Sequence, residues 1–283
     1  RMDSQVPDYV NFYTSTEGRG SAKTTPGFLG ARYGAINLHD GKKLSLPNIE
    51  KLESITKGDH EARADLRNFL SSRFDQGRGL SAVKSHAAAY ARVHGLMSCE
   101  KLFDISDEPQ HIRDMYGPTQ FAEQTIMARR MVEAGVPFVR VSRAWWDSHG
   151  QNFETHLEMV PELDRVLSAL IDDLKQRGML EDTLVVTMGE FGRTPKINGS
   201  LGRDHFATAW SASLHGGRTV PGAVYGKTDA HGNRVVEGEI GAGEMFATIL
   251  EAAGIDHTRE YHVGARPIPL VNPGIKPVTE VIA

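Results

Sequence analysis

The sequence predicts an α/β fold, a mainly parallel sheet flanked by helices, and three observations carry that expectation. A short apolar run at 138–142 follows Gly135, an amphipathic helical pattern fills 160–174, and a second apolar run at 184–187 ends at Gly189. Strand, long helix, strand is a βαβ unit, whose right-handed crossover sets its two strands parallel. At 283 residues the chain is long enough for one large domain, 1–283, with a sizeable core.

Each element follows in order. Residues 1–48 are rich in Gly, Pro, Ser and Thr, with loop signals at Thr25-Pro26-Gly27 and Asp40-Gly41, and read as a surface excursion or an arm. From 49 the pattern turns helical: Leu66, Phe69 and Leu70 recur at helix spacing, and 82–93 is rich in alanine. Residues 49–115 are thus expected to form a helical insert, broken at Asp107-Glu108-Pro109. A helix is expected at about 118–134, then the strand at 138–142 and a polar, aromatic loop at 145–152. In the long helix Val160, Leu163, Val166, Leu167, Leu170, Ile171 and Leu174 share one stripe. Pro161 lacks an N–H and is expected to split that helix, which Gly178 stops. After the strand at 184–187 come a long glycine-bearing loop, a helical segment near Trp210, and a turn-and-strand region at 216–226. A last helix at 244–253 is closed by Gly254. No internal repeat is present.

Composition excludes several classes. The net charge is −4 and the basic residues are scattered among acids, which argues against a general nucleic-acid binder. Cys99 is the sole cysteine, so neither an intrachain disulfide framework nor a cysteine-rich zinc site can form. No run reaches the length of a membrane-spanning helix, and no signal peptide stands in the chain. Because it opens at Arg1 with a polar stretch over 3–25, further residues, a targeting segment among them, are expected upstream. There is no Gly-x-Ser-x-Gly elbow, no Walker loop, and no histidine paired with Cys99.

Three clusters can carry chemistry. In Trp145-Trp146-Asp147-Ser148-His149-Gly150, Asp147 and His149 stand two apart on an extended or turning segment and can converge on one ion. The same residues also suit a turn capped by Asp147 beside a half-exposed His149. Glu190, just past a strand end, can bind metal, act as a base or pair with Arg193. In Gly202-Arg203-Asp204-His205 the guanidinium of Arg203 suits a phosphate or sulfate oxyanion, and His205 suits a ligand or proton donor. Its alternative is a histidine satisfied against the sheet edge. Each cluster follows a strand, so all three are expected to meet at one sheet edge as a metal site. His156, His215, His231, His257 and His262 read as surface histidines, and Asp229 as a turn residue.

These motifs resemble a known family. Residues 180–187 look like the segment that leads into the metal loop of sulfatases and other alkaline-phosphatase-superfamily enzymes. Trp146-Asp147-Ser148-His149, Gly189-Glu190-Phe191-Gly192-Arg193-Thr194-Pro195 and Gly202-Arg203-Asp204-His205 resemble the uncharacterised sulfatase-like family catalogued as domain of unknown function 1501. The segments at 128–136 and 226–229 match it too, so the likeness covers the chain from about Pro7 onward.

The resemblance implies an alkaline-phosphatase-like core with a helical insert, whose first strand, bearing an Asp ligand and the nucleophile, lies upstream of this chain. It implies a divalent cofactor (Zn, Mn, Fe, Mg or Ca) held by Asp147, His149, Glu190 and His205. Arg203 or Arg193 would hold the oxyanion, and Asp204 would orient His205. Phe191 stands where the superfamily has a second histidine, which weakens or removes a second metal site. A metal-activated water takes the part of the nucleophile. The function implied is a metal-dependent hydrolase of phosphate or sulfate esters, small-molecule or polysaccharide, in an exported or periplasmic protein. The alternative is a non-catalytic relative that serves as a binding or scaffold protein; a third reading is an interaction module built on the helical insert.

Overall fold

In the structure, a computed structural model, residues 6–14, 26–30, 33–39, 54–76, 78, 81–98, 100–263 and 265–283 are described. Cys99 and the Asp40-Gly41 turn lie outside the described residues. The fold is mixed α/β, and the chain divides into two compact units, Arg1–Ala144 and Trp145–Ala283.

The first unit is organised by strand β1 (Tyr9–Thr14). It lies between β2 (Ile36–His39) and a later strand, parallel to both. Helices α1 (Lys57–Asp75), α2 (Ser81–Ser98), α3 (Gln110–Tyr116) and α4 (Gln120–Glu133) follow, and β3 (Phe138–Arg143) completes the sheet in the order β2-β1-β3. Val10, Asn11 and Phe12 are all buried, so both faces of β1 are covered, as the centre of a parallel sheet requires. Asn11 donates to Asn37 Oδ1 across the β1–β2 register at 2.9 Å. Met127, Ala128 and Met131 of α4 pack with Val10, Phe12, Leu38 and Val136 to make the core. Two of the three strands thus come from the region expected to be an arm. A six-residue run of large side chains was hidden there among loop-forming neighbours.

The helical expectations hold for 57–116. Thr56 and Asp59 form a reciprocal capping box at the start of α1. Leu66, Phe69, Leu70 and Phe74 of α1 are each more than half exposed. They mark the helix but do not build the core.

The second unit begins with a loop and α5 (Asn152–Gln176), which runs unbroken through Pro161. This corrects the expected split. Pro161 deprives only the Leu157 carbonyl of its helical donor, and Leu157 is 80% exposed, where water can replace it. Val166, Ala169 and Leu174 are buried, whereas Val160 from the expected stripe is exposed. Then come β4 (Val185–Met188), β5 (Gly192–Arg193), β6 (His205–Phe206), β7 (Ala212–His215), β8 (Lys227–Thr228), β9 (Val235–Glu237), α6 (Ala242–Ala252), β10 (Glu260–Val263) and β11 (Arg266–Pro269).

Among the described residues parallel pairing is confined to the β2-β1-β3 sheet. The pairs β4–β7, β5–β6, β8–β9 and β10–β11 are antiparallel. The expected crossover made β4 a parallel partner of β3, but β4 finds its hydrogen bonds in β7. No helix forms near Trp210: a turn at 207–208 leads straight into β7. No described helix is long and apolar enough to cross a membrane.

The first unit holds a buried charge cluster. Arg129, 1% exposed, lies 2.7 Å from Glu108 and 2.9 Å from Glu133, and Arg130 reaches the other Glu108 oxygen at 2.7 Å. Burial pushes the Glu108 carboxyl up, but the hydrogen bonds and charges of Arg129 and Arg130 prevail and hold it below the usual value. Its folded value lies below the unfolded one, so its contribution is present above about pH 4.3 and is lost as pH falls through the folded value. Removing one partner of a buried pair costs about 3–5 kcal/mol. We therefore expect Glu108→Gln to destabilise the protein by about that amount at neutral pH in urea titrations. The gap from wild type should narrow on acidification below about pH 4.

Candidate metal centre

The second unit brings two loops together, one of residues 145–151 ahead of α5 and one of residues 194–204 between β5 and β6. Backbone bonds stitch them. Arg203 N donates to the Ser148 carbonyl (3.0 Å), Gln151 N to that of Ser200 (3.2 Å), and Asn152 N to that of Leu201 (3.0 Å). Asn198 locks the join. Its Nδ2 donates to the His149 carbonyl at 3.0 Å and to Asp204 Oδ1 at 3.1 Å, while its Oδ1 accepts from Ser200 N and Gly202 N. In the sequence Asn198 is marked only by the turn signal of the Asn-Gly pair at 198–199.

Gly202 permits this closeness, and Gly192 a second backbone approach beside the β5–β6 ladder. A β-carbon on Gly202 would lie 2.0 Å from the His149 carbonyl carbon and oxygen, and one on Gly192 would lie 1.8 Å from the Ala209 carbonyl oxygen. The described non-glycine residues with positive φ are Trp145, Gln151 and Leu201, and all three flank the join. Such strain persists only where surrounding contacts impose it, and it gathers at functional sites.

Side chains alternate along the first loop. Ser148 is buried and its hydroxyl donates to Asn152 Oδ1 at 2.9 Å, while Asp147 and His149 face solvent. On the β5–β6 ladder Arg193 stands opposite His205. Asp147 Oδ1, His149 Nε2 and His205 Nε2 consequently meet: each nitrogen lies 3.0 Å from the oxygen, and the nitrogens lie 3.2 Å apart. Behind them, His149 Nδ1 lies 2.8 Å from Asp204 Oδ1. A carboxylate can only accept, so Nδ1 carries the proton and Nε2 of neutral His149 presents its lone pair to the cluster. A carboxylate behind a ligand histidine is the usual support of a metal ion.

Electrostatics agree. The hydrogen bond from Arg193, at 2.6 Å, and then that from His205 hold the Asp147 carboxyl down to about 2. The bonds from His149 and then Asn198 lower that of Asp204. Asp147, His149 and His205 are a group able to hold a metal ion. The cluster remains about half exposed, so an ion held there would keep a coordination position open to solvent.

Other expected site residues lie elsewhere or act differently. Glu190 does not join the ligand cluster and does not pair with Arg193; it lines a cavity with Trp210 and α6. Asp204 supports His149, not its sequence neighbour His205. Nη1 of Arg203 donates to the carbonyls of Thr194 (2.6 Å) and Pro195 (2.8 Å), bracing the second loop. Phe191 packs on the His205 ring with centroids 4.2 Å apart, and the Arg193 guanidinium lies 5.4 Å from the Phe191 ring. His257, expected on the surface, is largely buried and bonds Glu251 at the end of α6. Asp229 makes the expected turn, accepting from His231 N and Asn233 N.

Asn198→Ala should destabilise the protein by about 2–3 kcal/mol, since it removes four hydrogen bonds. Gly202→Ala should cost more than about 3 kcal/mol, because backbone cannot yield as a side chain does. Thermal unfolding measures both, and hydrogen exchange should show lost protection at the amides of Gln151, Asn152 and Arg203.

No curated protein and no solved structure matches this chain. A family model matches residues 1–282, and the chain belongs to that family, described as "Protein of unknown function (DUF1501)".

Proposed function

We propose that this protein is a metal-dependent hydrolase of phosphate or sulfate esters, with Asp147, His149 and His205 as its metal ligands. The observation that carries the reading is the meeting of Asp147 Oδ1, His149 Nε2 and His205 Nε2 with Asp204 behind His149. The donors fit an ion well. Ligands at about 2.0–2.1 Å around a tetrahedral centre are separated by about 3.3 Å, close to the spacing here. Two nitrogens and one carboxylate oxygen favour Zn, Mn or Fe over Mg or Ca. When bound, such an ion supplies Lewis-acid activation of an ester oxygen and of water.

The chain's own groups set the rest. Asp204 fixes the His149 tautomer and ring plane, with Asn198 holding Asp204 in turn. Phe191 sets the plane of His205, which is a use for the residue that replaces the superfamily's second histidine. Arg193, held on β5 opposite His205, supplies the guanidinium fork for the non-bridging oxygens of a phosphoryl or sulfuryl group. The open side of the cluster admits substrate and water. The same reading makes the chain a relative of alkaline phosphatases and sulfatases, in which the helices over 57–116 are an insert; the parallel β2-β1-β3 sheet supports this.

Purified protein should carry or take up about one equivalent of Zn, Mn or Fe by elemental analysis. His149→Ala and His205→Ala should abolish uptake, and Asp204→Asn should weaken it by about 10–100-fold. Arg193→Met should keep the metal but lower kcat/KM on aryl phosphates or sulfates by about 10²–10³-fold. A protein that takes up none of these ions overturns the reading. Metal uptake without turnover of either ester class leaves the binding-protein alternative.

A further inference from the structure

We propose that the cavity between β4, Trp210 and α6 binds a small alkylammonium group. The consequence, which rests on the function proposed above, is that the ester hydrolysed is one of an amino alcohol, anionic at the metal centre and cationic at its other end. The cavity holds about 90 Å³ and is lined chiefly by Met188, Glu190, Trp210, Met245, Phe246 and Ile249. Glu190 stands three residues before Arg193, in the bend that leads into β5, and Trp210 follows β6 across the turn at 207–208, so both lie close in the chain to the metal-ligating cluster. Three residues of chain span at most about 11 Å, which puts the cavity within reach of one small substrate spanning both places.

Size and chemistry select the occupant. An apolar cavity of about 150 Å³ accommodates benzene, so in proportion this one takes roughly four heavy atoms, the count of a trimethylammonium head. The lining combines one carboxylate, two aromatic side chains, two thioethers and a branched aliphatic chain. An anion is repelled by Glu190. A neutral hydrocarbon would draw that carboxylate out of water with nothing opposite it. A bare metal ion would find a single carboxylate. An alkylated ammonium suits every wall: its charge meets Glu190 and the rings of Trp210 and Phe246, and its methyl groups pack on Met188, Met245 and Ile249. The cation nearest Glu190 in sequence, Arg193, is engaged with Asp147, so Glu190 is free to meet an incoming cation.

The test is direct binding to the full chain, followed by saturation-transfer NMR on the ligand methyl groups. The probes are tetramethylammonium, choline and 3,3-dimethyl-1-butanol, the neutral isostere of choline. Both cations should bind in the millimolar range and the isostere at least about tenfold more weakly. Glu190→Gln should erase the preference for charge, and Trp210→Leu should weaken both cations. Equal binding of choline and its isostere, or no binding of choline, overturns the proposal. So does loss of metal uptake in Glu190→Gln, which would make Glu190 a ligand of the metal centre. Charge-selective binding in a protein that takes up no metal upholds the ammonium site and sinks only the hydrolase reading.

Discussion

At Gly202 the second loop passes the backbone of His149 so closely that no side chain fits between them. That approach lets the Arg203 amide reach the Ser148 carbonyl and lets Asn198 span from His149 to Asp204. The geometry of the candidate metal centre follows from it. Asp147 and His149 come from one loop and His205 from the end of the other, and neither loop has regular structure of its own to hold them in register. Glycine is required because the contact is backbone on backbone. Trp145, Gln151 and Leu201 take up the cost as positive φ, and their positions around the join show where the constraint acts.

Two charge clusters in this protein illustrate different uses of electrostatics. Glu108 and Arg129 are buried, with Arg130 and Glu133 as charged partners at their edge, and the cluster serves the stability of the first unit. Asp147, His149, Asp204 and His205 are about half exposed, where ion pairs add little to stability. Yet the carboxyl of Asp147 is held near 2, and the rings are oriented by Asp204 and Phe191. Exposed groups held this closely are the arrangement that the proposed ligand role uses.

The residue at 191 positions its neighbours. Phenylalanine packs on the His205 ring and lies beside the Arg193 guanidinium, so it positions two members of the site. These contacts fix the His205 ring and hold a cation beside it.

Much of the local structure was legible in the sequence because it rests on near neighbours. The helices over 57–75, 81–98, 120–133 and 242–252, the strands at 138–143 and 185–188, and the turn at Asp229 all carry their own periodicity, caps or breakers. So did the residue types of the site: Asp147, His149 and His205 were named from motif and chemistry alone. What sequence could not supply was pairing. β1 lay hidden among loop-forming residues, and β4 took β7 as its partner, because strand partners are chosen by hydrogen bonds to distant chain. Pro161 stayed within α5 because the carbonyl it leaves bare faces water. Asp204 turned to His149 and Arg193 to Asp147, while Glu190 joined a cavity with Trp210 and α6, because side-chain partners depend on which loops the backbone brings into contact. The sequence determined which groups this protein can use for chemistry. Only the tertiary structure decided which of them meet, since a close approach such as that at Gly202 is a property of two segments and is written in neither alone.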